Sequence, residues 1–302
     1  MVLIAGGTGR LGRAVVEALT ARQMRVRVLT RDRARGRQLN ADPALLEVVQ
    51  GDVRDPESLA AAVAGTTTVV SSVQGLDDRT SSPEKTDHVG NRNLVDAAVK
   101  AGVEHFVFVS AQQAAPDHPM VMSRAKFAAE RYLKSSPLAW TIIRPSAFIE
   151  FWATLVGAPL AQTGSTRVFG RGENPQNFVS IRDVATAVEH AVFDESLRGV
   201  ELDMGGPENL TVNQVVEIVQ QVTGRKGEVK HVPVPAMRVM ALLMRPINPG
   251  MARIIQTAIL ADTIDLTWDG AANRERYPWL PQTSLREVLQ SRPDLLARAP
   301  GP

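Results

Sequence analysis

Short runs of β-branched and aliphatic residues alternate along the first 145 positions with stretches whose apolar residues recur at helical spacing. The period-two and continuous apolar runs predict strands over 2–5, 25–29, 45–50, 67–72, 104–110 and 140–144. Helical spacing falls between them, over 13–21, 56–64, 87–101 and 121–135. Local signals agree: Asp55 and Pro56 suit an N-cap and first helical turn, and Gly102 suits a helix stop. The polar stretch 76–86, with Pro83, reads as a loop. Strands and helices in this alternation predict an α/β fold built on a doubly wound parallel sheet. Ligands of such sheets sit at the carboxyl ends of the strands, which puts Gly6, Arg31, Asp52, Ser72 and Ser110 on one rim.

The first strand runs without a spacer into Gly6, Gly7, Thr8, Gly9, Arg10, Leu11 and Gly12, and a helix follows. A strand, a glycine turn and a helix in that order form the front of a dinucleotide site. Glycine is needed because the turn is tight and the backbone must approach a pyrophosphate with no Cβ in the way. The helix N-terminus then offers free N–H groups and partial positive charge. The second strand ends in Thr30-Arg31-Asp32, where the adenosine ribose should lie. Two readings compete there: Asp32 accepts from both ribose hydroxyls and selects NAD, or Arg31 grips a 2′-phosphate and selects NADP. Arg33 and Arg35 in the same loop favour NADP. After the third strand, Asp52 either accepts from an adenine amino group or caps the following turn.

Composition narrows this picture in a few places. The 302 residues are 44% hydrophobic and carry a net charge of +2, enough chain for one or two domains and no global demand for an acidic partner. Nine arginines between Arg10 and Arg37 raise the question of nucleic acid, but no accompanying motif supports it, and none is expected as a partner. The absence of cysteine excludes disulfides and thiolate chemistry, and His88, His105, His118, His190 and His231 lack ligand spacing, so no metal is expected. The apolar run around 236–244 is too short to span a bilayer and contains Arg238. A strand beginning at residue 2 leaves no signal peptide, so a cytoplasmic location is expected.

The segments GGTGRLG, VLTRD, VVQGDVRDPESLAAAVAG, NRNLVDAAVKAGVEHFVFVSA, SRAKFAAERYLKSSPLAWTIIRPSAF, NFVSIRDVA and MGGPENLTVNQVVEIV resemble, in order, the atypical branch of the short-chain dehydrogenase/reductase superfamily. The nearest group is the NmrA-like, NAD(P)H-binding one related to extended-type nucleotide-sugar epimerases. The resemblance implies a Rossmann domain over 1–150 and 177–206, with 177–181 and 182–193 returning to the core sheet as a strand and a helix and 200–204 as its last strand. It implies a smaller, mostly helical substrate domain over 151–176 and 207–302. It also implies NADP(H) contacts from Gly6, Thr8, Gly9, Arg10, Leu11, Gly12, Arg31, Asp52, Val53, Ser72, Val73, Ala111 and Lys126, with Pro145, Ala147 and Phe148 flanking the nicotinamide.

Family members usually reduce carbonyls with a serine, a tyrosine and a lysine, the tyrosine four residues before the lysine on one helix face. Ser110 and Lys126 match the serine and the lysine, but the tyrosine position is Met122, which has no proton to give. Tyr132 and Tyr277 lie elsewhere, Ser123 points about 100° away, and His118 in the preceding loop is a weak substitute. Met237, Met240 and Met244, with Leu243 and Ile247, line one helix face that is either core or an adaptable wall over a flat apolar substrate. Three functions follow. The preferred one is NADPH-dependent reduction of a small, hydrophobic acceptor, a quinone or other conjugated molecule. The alternative is a non-catalytic NADP(H) sensor or assembly protein. A sugar-nucleotide epimerase is the third, and the missing base at Met122 weighs against it.

Overall fold

A computed structural model describes residues 1–76 and 78–297. In chain order the first elements are β1 (Val2–Ala5), α1 (Arg10–Ala21), β2 (Val26–Thr30), α2 (Arg33–Arg37), β3 (Leu46–Gln50), α3 (Leu59–Val63, after a 3₁₀ turn Pro56–Ser58), β4 (Thr68–Ser71), α4 (Asn91–Lys100), β5 (His105–Val109), α5 (Val121–Lys134) and β6 (Ala139–Pro145). There follow β7 (Ala147–Phe148), α6 (Ile149–Trp152), α7 (Ala158–Thr163), β8 (Ser165–Phe169), β9 (Gln176–Val179), α8 (Ile181–Phe193), β10 (Val200–Met204), β11 (Asn209–Leu210), α9 (Val212–Thr223), β12 (Glu228–Val232), α10 (Val234–Met244), α11 (Pro249–Ala261), α12 (Ala271–Arg276), α13 (Leu285–Ser291) and α14 (Asp294–Ala297). The chain divides into two compact units. The first holds Met1–Leu76, Thr80–Pro145 and Val184–Asp203; the second holds, of the described residues, Ser146–Asp183 and 204–297.

The first unit is a Rossmann-like α/β layer. Its seven-stranded sheet has the order β10-β6-β5-β4-β1-β2-β3, and β1 to β6 pair in parallel. β1, β4 and β5 are buried along their whole length, as central strands covered on both faces must be. Leu3, Val69, Phe106, Phe108 and Ile142 from the sheet pack with Leu94, Val95 and Ala98 of α4 and Leu133 of α5. The strand order reverses between β1 and β4, so the ends of those two strands open a crevice where ligands of such sheets bind.

Two local features differ from the sequence reading. The loop 76–86 ends early: Glu84–Gly90 forms a π-helical stretch that runs directly into α4. Gly102, at φ +71°, ends that helix as its sequence signal implies. Residues 176–179 do not return to the core sheet. β9 instead pairs with β7 and β11 in a separate three-stranded sheet of the second unit. Its alignment there is fixed by Asn177, whose buried amide donates to Gly206 O and Glu208 O and accepts from Gly206 N and Ser146 Oγ.

The second unit has a core of Ile149, Val156, Leu160, Phe178, Val215, Val219, Leu285 and Leu289, and a further two-stranded sheet of β8 and β12. Asp183 lies in the first turn of α8. Its carboxylate accepts from Thr283 N (2.8 Å) and Thr283 Oγ1 (2.7 Å), tying the C-terminal segment down, and burial pushes its pKa up. The methionine face divides. Met237 is buried against α11, whereas Met240, Leu243 and Ile247 are exposed. Among the described residues no helix is long and apolar enough to cross a membrane.

Candidate functional site

The turn between β1 and α1 is a cradle that side chains would fill. Gly6 has φ +84°, and a Cβ there would lie 2.9 Å from the carbonyl of Ser72. At Gly12 a Cβ would fall 2.2 Å from Gly6 O and 2.5 Å from Gly7 Cα, so α1 meets the turn more closely than any side chain permits. Gly9 N donates to Gly6 O (2.9 Å), and Gly9 caps α1 without a side chain, leaving its first N–H groups for an anion. The first turn of α1 holds no acidic residue. Thr8 O accepts from Arg13 Nε (3.1 Å), Leu11 is buried beneath the turn, and Arg10 is exposed. Ser72 closes the cradle from β4, its N–H and Oγ both donating to Ala5 O. This backbone fits a pyrophosphate.

At the end of β2, Asp32 caps α2, its Oδ1 accepting from Ala34 N (2.8 Å), while the Arg31 side chain is exposed. Asp52 caps the turn after β3. It accepts from Arg54 N (2.9 Å) and is clasped by the Arg54 guanidinium through Nε (3.0 Å) and Nη2 (2.5 Å). Burial pushes the Asp52 pKa up, but the Arg54 hydrogen bonds outweigh it and hold the carboxylate below its usual range. Val53 is buried, its side chain against Gly90.

The residues expected to do chemistry gather at the ends of β4 and β5. Lys126 is buried on α5, and its ammonium group donates to Val73 O (2.9 Å) and Val109 O (2.9 Å) and lies 3.1 Å from Asp87 Oδ1. Two hydrogen bonds and one ion pair thus hold the ammonium group. Asp87 was not singled out in the sequence; it is buried on the π-helical stretch, and its Oδ2 accepts from Gly75 N (2.8 Å). Asn91 extends the cluster, donating to Asp87 O and sharing a 2.5 Å contact with Ser71 Oγ. The only signal for Asp87 in the sequence is a carboxylate within a helical run, which is too common to identify it.

Ser110 follows β5 with its N–H bonded to Ile143 O, and its buried hydroxyl has no hydrogen-bond partner among the described residues. Ala111 is half-buried, and Gln112 N donates to Pro145 O, linking the loop after β5 to the end of β6. Ala147 and Phe148 form β7 in the second unit. Tyr132 and His118 have contacts of their own. Tyr132 donates to Asp96 (2.5 Å), which with burial pushes its phenol pKa up. His118 accepts from Met120 N at the start of α5, and burial together with Arg124 pushes its pKa down. Met122 lies half-buried on α5, one turn before Lys126.

A doubly wound sheet with a glycine cradle at its first crossover defines a dinucleotide-binding Rossmann protein. The chain belongs to the NAD(P)H-binding family, whose pattern matches residues 6–195. It is 27% identical to an NAD(P)H azoreductase of Xenophilus azovorans over 99% of this chain and 93% of that protein. It is 26% identical to a photosystem II assembly factor of Synechocystis sp. over 96% of this chain and 89% of that one. The fold is similar to that of the NADPH-dependent quinone oxidoreductase of Escherichia coli in complex with NADPH, with a TM-score of 0.75 and 22% identity over 96% of this chain and 99% of the other.

Proposed function

We propose that this protein is an NADPH-dependent reductase of a hydrophobic, conjugated acceptor such as a quinone. The observation that carries the reading is the pair Met122 and Lys126. Where carbonyl chemistry needs a proton donor there is a thioether, and the lysine that would lower that donor's pKa is held by Val73 O, Val109 O and Asp87. An acceptor that needs no protein acid is the class left open, because a quinone or dye spreads the incoming charge over its own conjugated system. Bound at the cradle, the cofactor supplies a hydride. The protein's work is then to position the two partners and exclude water.

In this reading Gly6, Thr8, Gly9, Arg10, Leu11 and Gly12 hold the pyrophosphate. Arg31 binds the 2′-phosphate, since Asp32 is engaged in capping α2. Asp52 and Val53 would meet the adenine, Ser72 and Val73 the ribose, and Ala111 and Pro145 the nicotinamide. The unpartnered Ser110 hydroxyl supplies a hydrogen bond to the bound group. Lys126 is a positioning residue that fixes the loop after β4. The azoreductase and quinone oxidoreductase likenesses support the reductase class.

The immobilised lysine, with the likeness to an assembly factor, favours one second reading: an NADPH-binding protein without turnover. Stopped-flow oxidation of NADPH against quinones, azo dyes and triphenylmethane dyes separates the two. Turnover on at least one conjugated acceptor supports the reductase. Tight NADPH binding with no oxidation by any acceptor supports the second reading.

A further inference from the structure

Ten large hydrophobic side chains are exposed among the described residues, and six of them fall between Val239 and Met251. Four are strongly exposed: Val239 at 57%, Leu242 at 69%, Leu243 at 60% and Ile247 at 66%. Clusters of this kind mark interaction surfaces, whereas single exposed apolar residues do not. α10 buries only a narrow stripe, Met237 and Ala241, against Ile255 of α11. At 3.6 residues per turn, Val239, Leu242 and Leu243 occupy an arc of about 100° on the opposite side. Arg238 and Arg245, seven residues apart and both exposed, stack along one flank of that arc. From Val229 to Ala261 the chain contains no aspartate or glutamate, while Lys230, Arg238, Arg245 and Arg253 are all in it.

We infer that the α10–α11 hairpin docks on an anionic lipid surface. Val239, Leu242, Leu243 and Ile247 would enter the headgroup–acyl boundary, with Arg238 and Arg245 spreading their stems over it and their guanidinium groups on phosphate. The charge pattern selects this occupant. A second copy pairing through the same face would set arginine against arginine with no carboxylate to answer them. A bilayer carrying anionic headgroups supplies both the apolar depth and the missing negative charge. The hairpin is of interfacial depth: α10 has 11 residues, far short of a span. The inference stands on exposure and charge in the second unit and does not rest on the reductase reading.

The test is flotation of the full-length protein with vesicles of phosphatidylcholine alone and of phosphatidylcholine with phosphatidylglycerol in equal parts. Binding to the anionic vesicles, weakened by salt and by neutral lipid, is expected. Arg238→Ala and Arg245→Ala should each weaken it about fivefold. Leu242→Glu with Leu243→Glu should abolish it while leaving the melting temperature and NADPH affinity unchanged, since both side chains are already in water. Three results overturn the inference: no flotation with either vesicle, flotation unaffected by the double glutamate variant, or a concentration-dependent dimer in analytical ultracentrifugation that the same variant dissolves.

Discussion

Lys126 Nζ lies 3.1 Å from Asp87 Oδ1, and both side chains are buried. The pair joins α5 to the π-helical stretch before α4, and through Val73 O and Gly75 N it holds the loop that closes the glycine cradle. A buried ion pair is compensated only while both partners remain. Removing one leaves an uncompensated charge at a cost of about 3–5 kcal/mol. Lys126→Ala and Asp87→Ala should therefore each lower unfolding free energy by about that amount, measured by urea denaturation without cofactor. The double variant should lose less than the sum of the two. A Lys126→Ala protein of unchanged stability that only binds NADPH more weakly would make Lys126 a cofactor ligand instead.

Cofactor choice rests on Arg31. If its guanidinium meets a 2′-phosphate, NADPH should bind more tightly than NADH by about 1.5–3 kcal/mol, roughly ten- to a hundredfold. Arg31→Ala should erase that difference and leave NADH affinity nearly unchanged. Calorimetric titration of both cofactors reads this directly. Equal affinities in the wild type would assign the selection to another residue.

The sheet and the glycine turn were legible because each rests on local rules. Period-two runs give strands, and a turn that brings α1 onto Gly6 and Gly7 admits no Cβ. The parts that were not legible depend on distant partners. Asn177 sends residues 176–179 into a second sheet through bonds to Ser146 and Gly206, and nothing in the strand's own pattern distinguishes that sheet from the first. The Arg54 fork on Asp52 depends on a side-chain geometry that the local pattern does not reveal. Lys126 carries the sequence match to a cofactor-contacting lysine, but its burial against Asp87, thirty-nine positions away, has no signal in the local pattern. The methionine face was one stripe on paper and two faces in the fold, because only Met237 and its neighbours meet α11.

Simple ketones should be poor substrates. General acid catalysis supplies about 10²–10⁴-fold, and Met122 offers none of it. Initial-rate assays with unactivated ketones should show turnover far below about 1 s⁻¹, while Met122→Ala should leave NADPH affinity intact. Ketone reduction at or above that rate would mean that another proton donor reaches the site.

Acid stability should depend on His105. The buried ring begins β5, its Nε2 2.9 Å from Thr141 Oγ1, whose own hydroxyl donates to Leu197 O. That leaves Thr141 as acceptor and the imidazole neutral with its proton on Nε2. Burial, with Arg198 nearby, pushes the His105 pKa from 6.5 down to about 4. Because the folded value is the depressed one, the unfolded chain binds the extra proton between those two pH values, and stability falls as pH falls through that window. Above pH 6.5 the contribution is complete; by pH 4 about 3 kcal/mol of it should be gone. The comparison that isolates this is the difference in unfolding free energy between wild type and His105→Gln from pH 7 to pH 4. Carboxylates raised by burial, such as Glu150 and Asp183, act alike in both proteins and cancel. Glutamine can still donate to Thr141, so the variant should lose stability less steeply on acidification, and parallel curves would show that His105 does not titrate in this range.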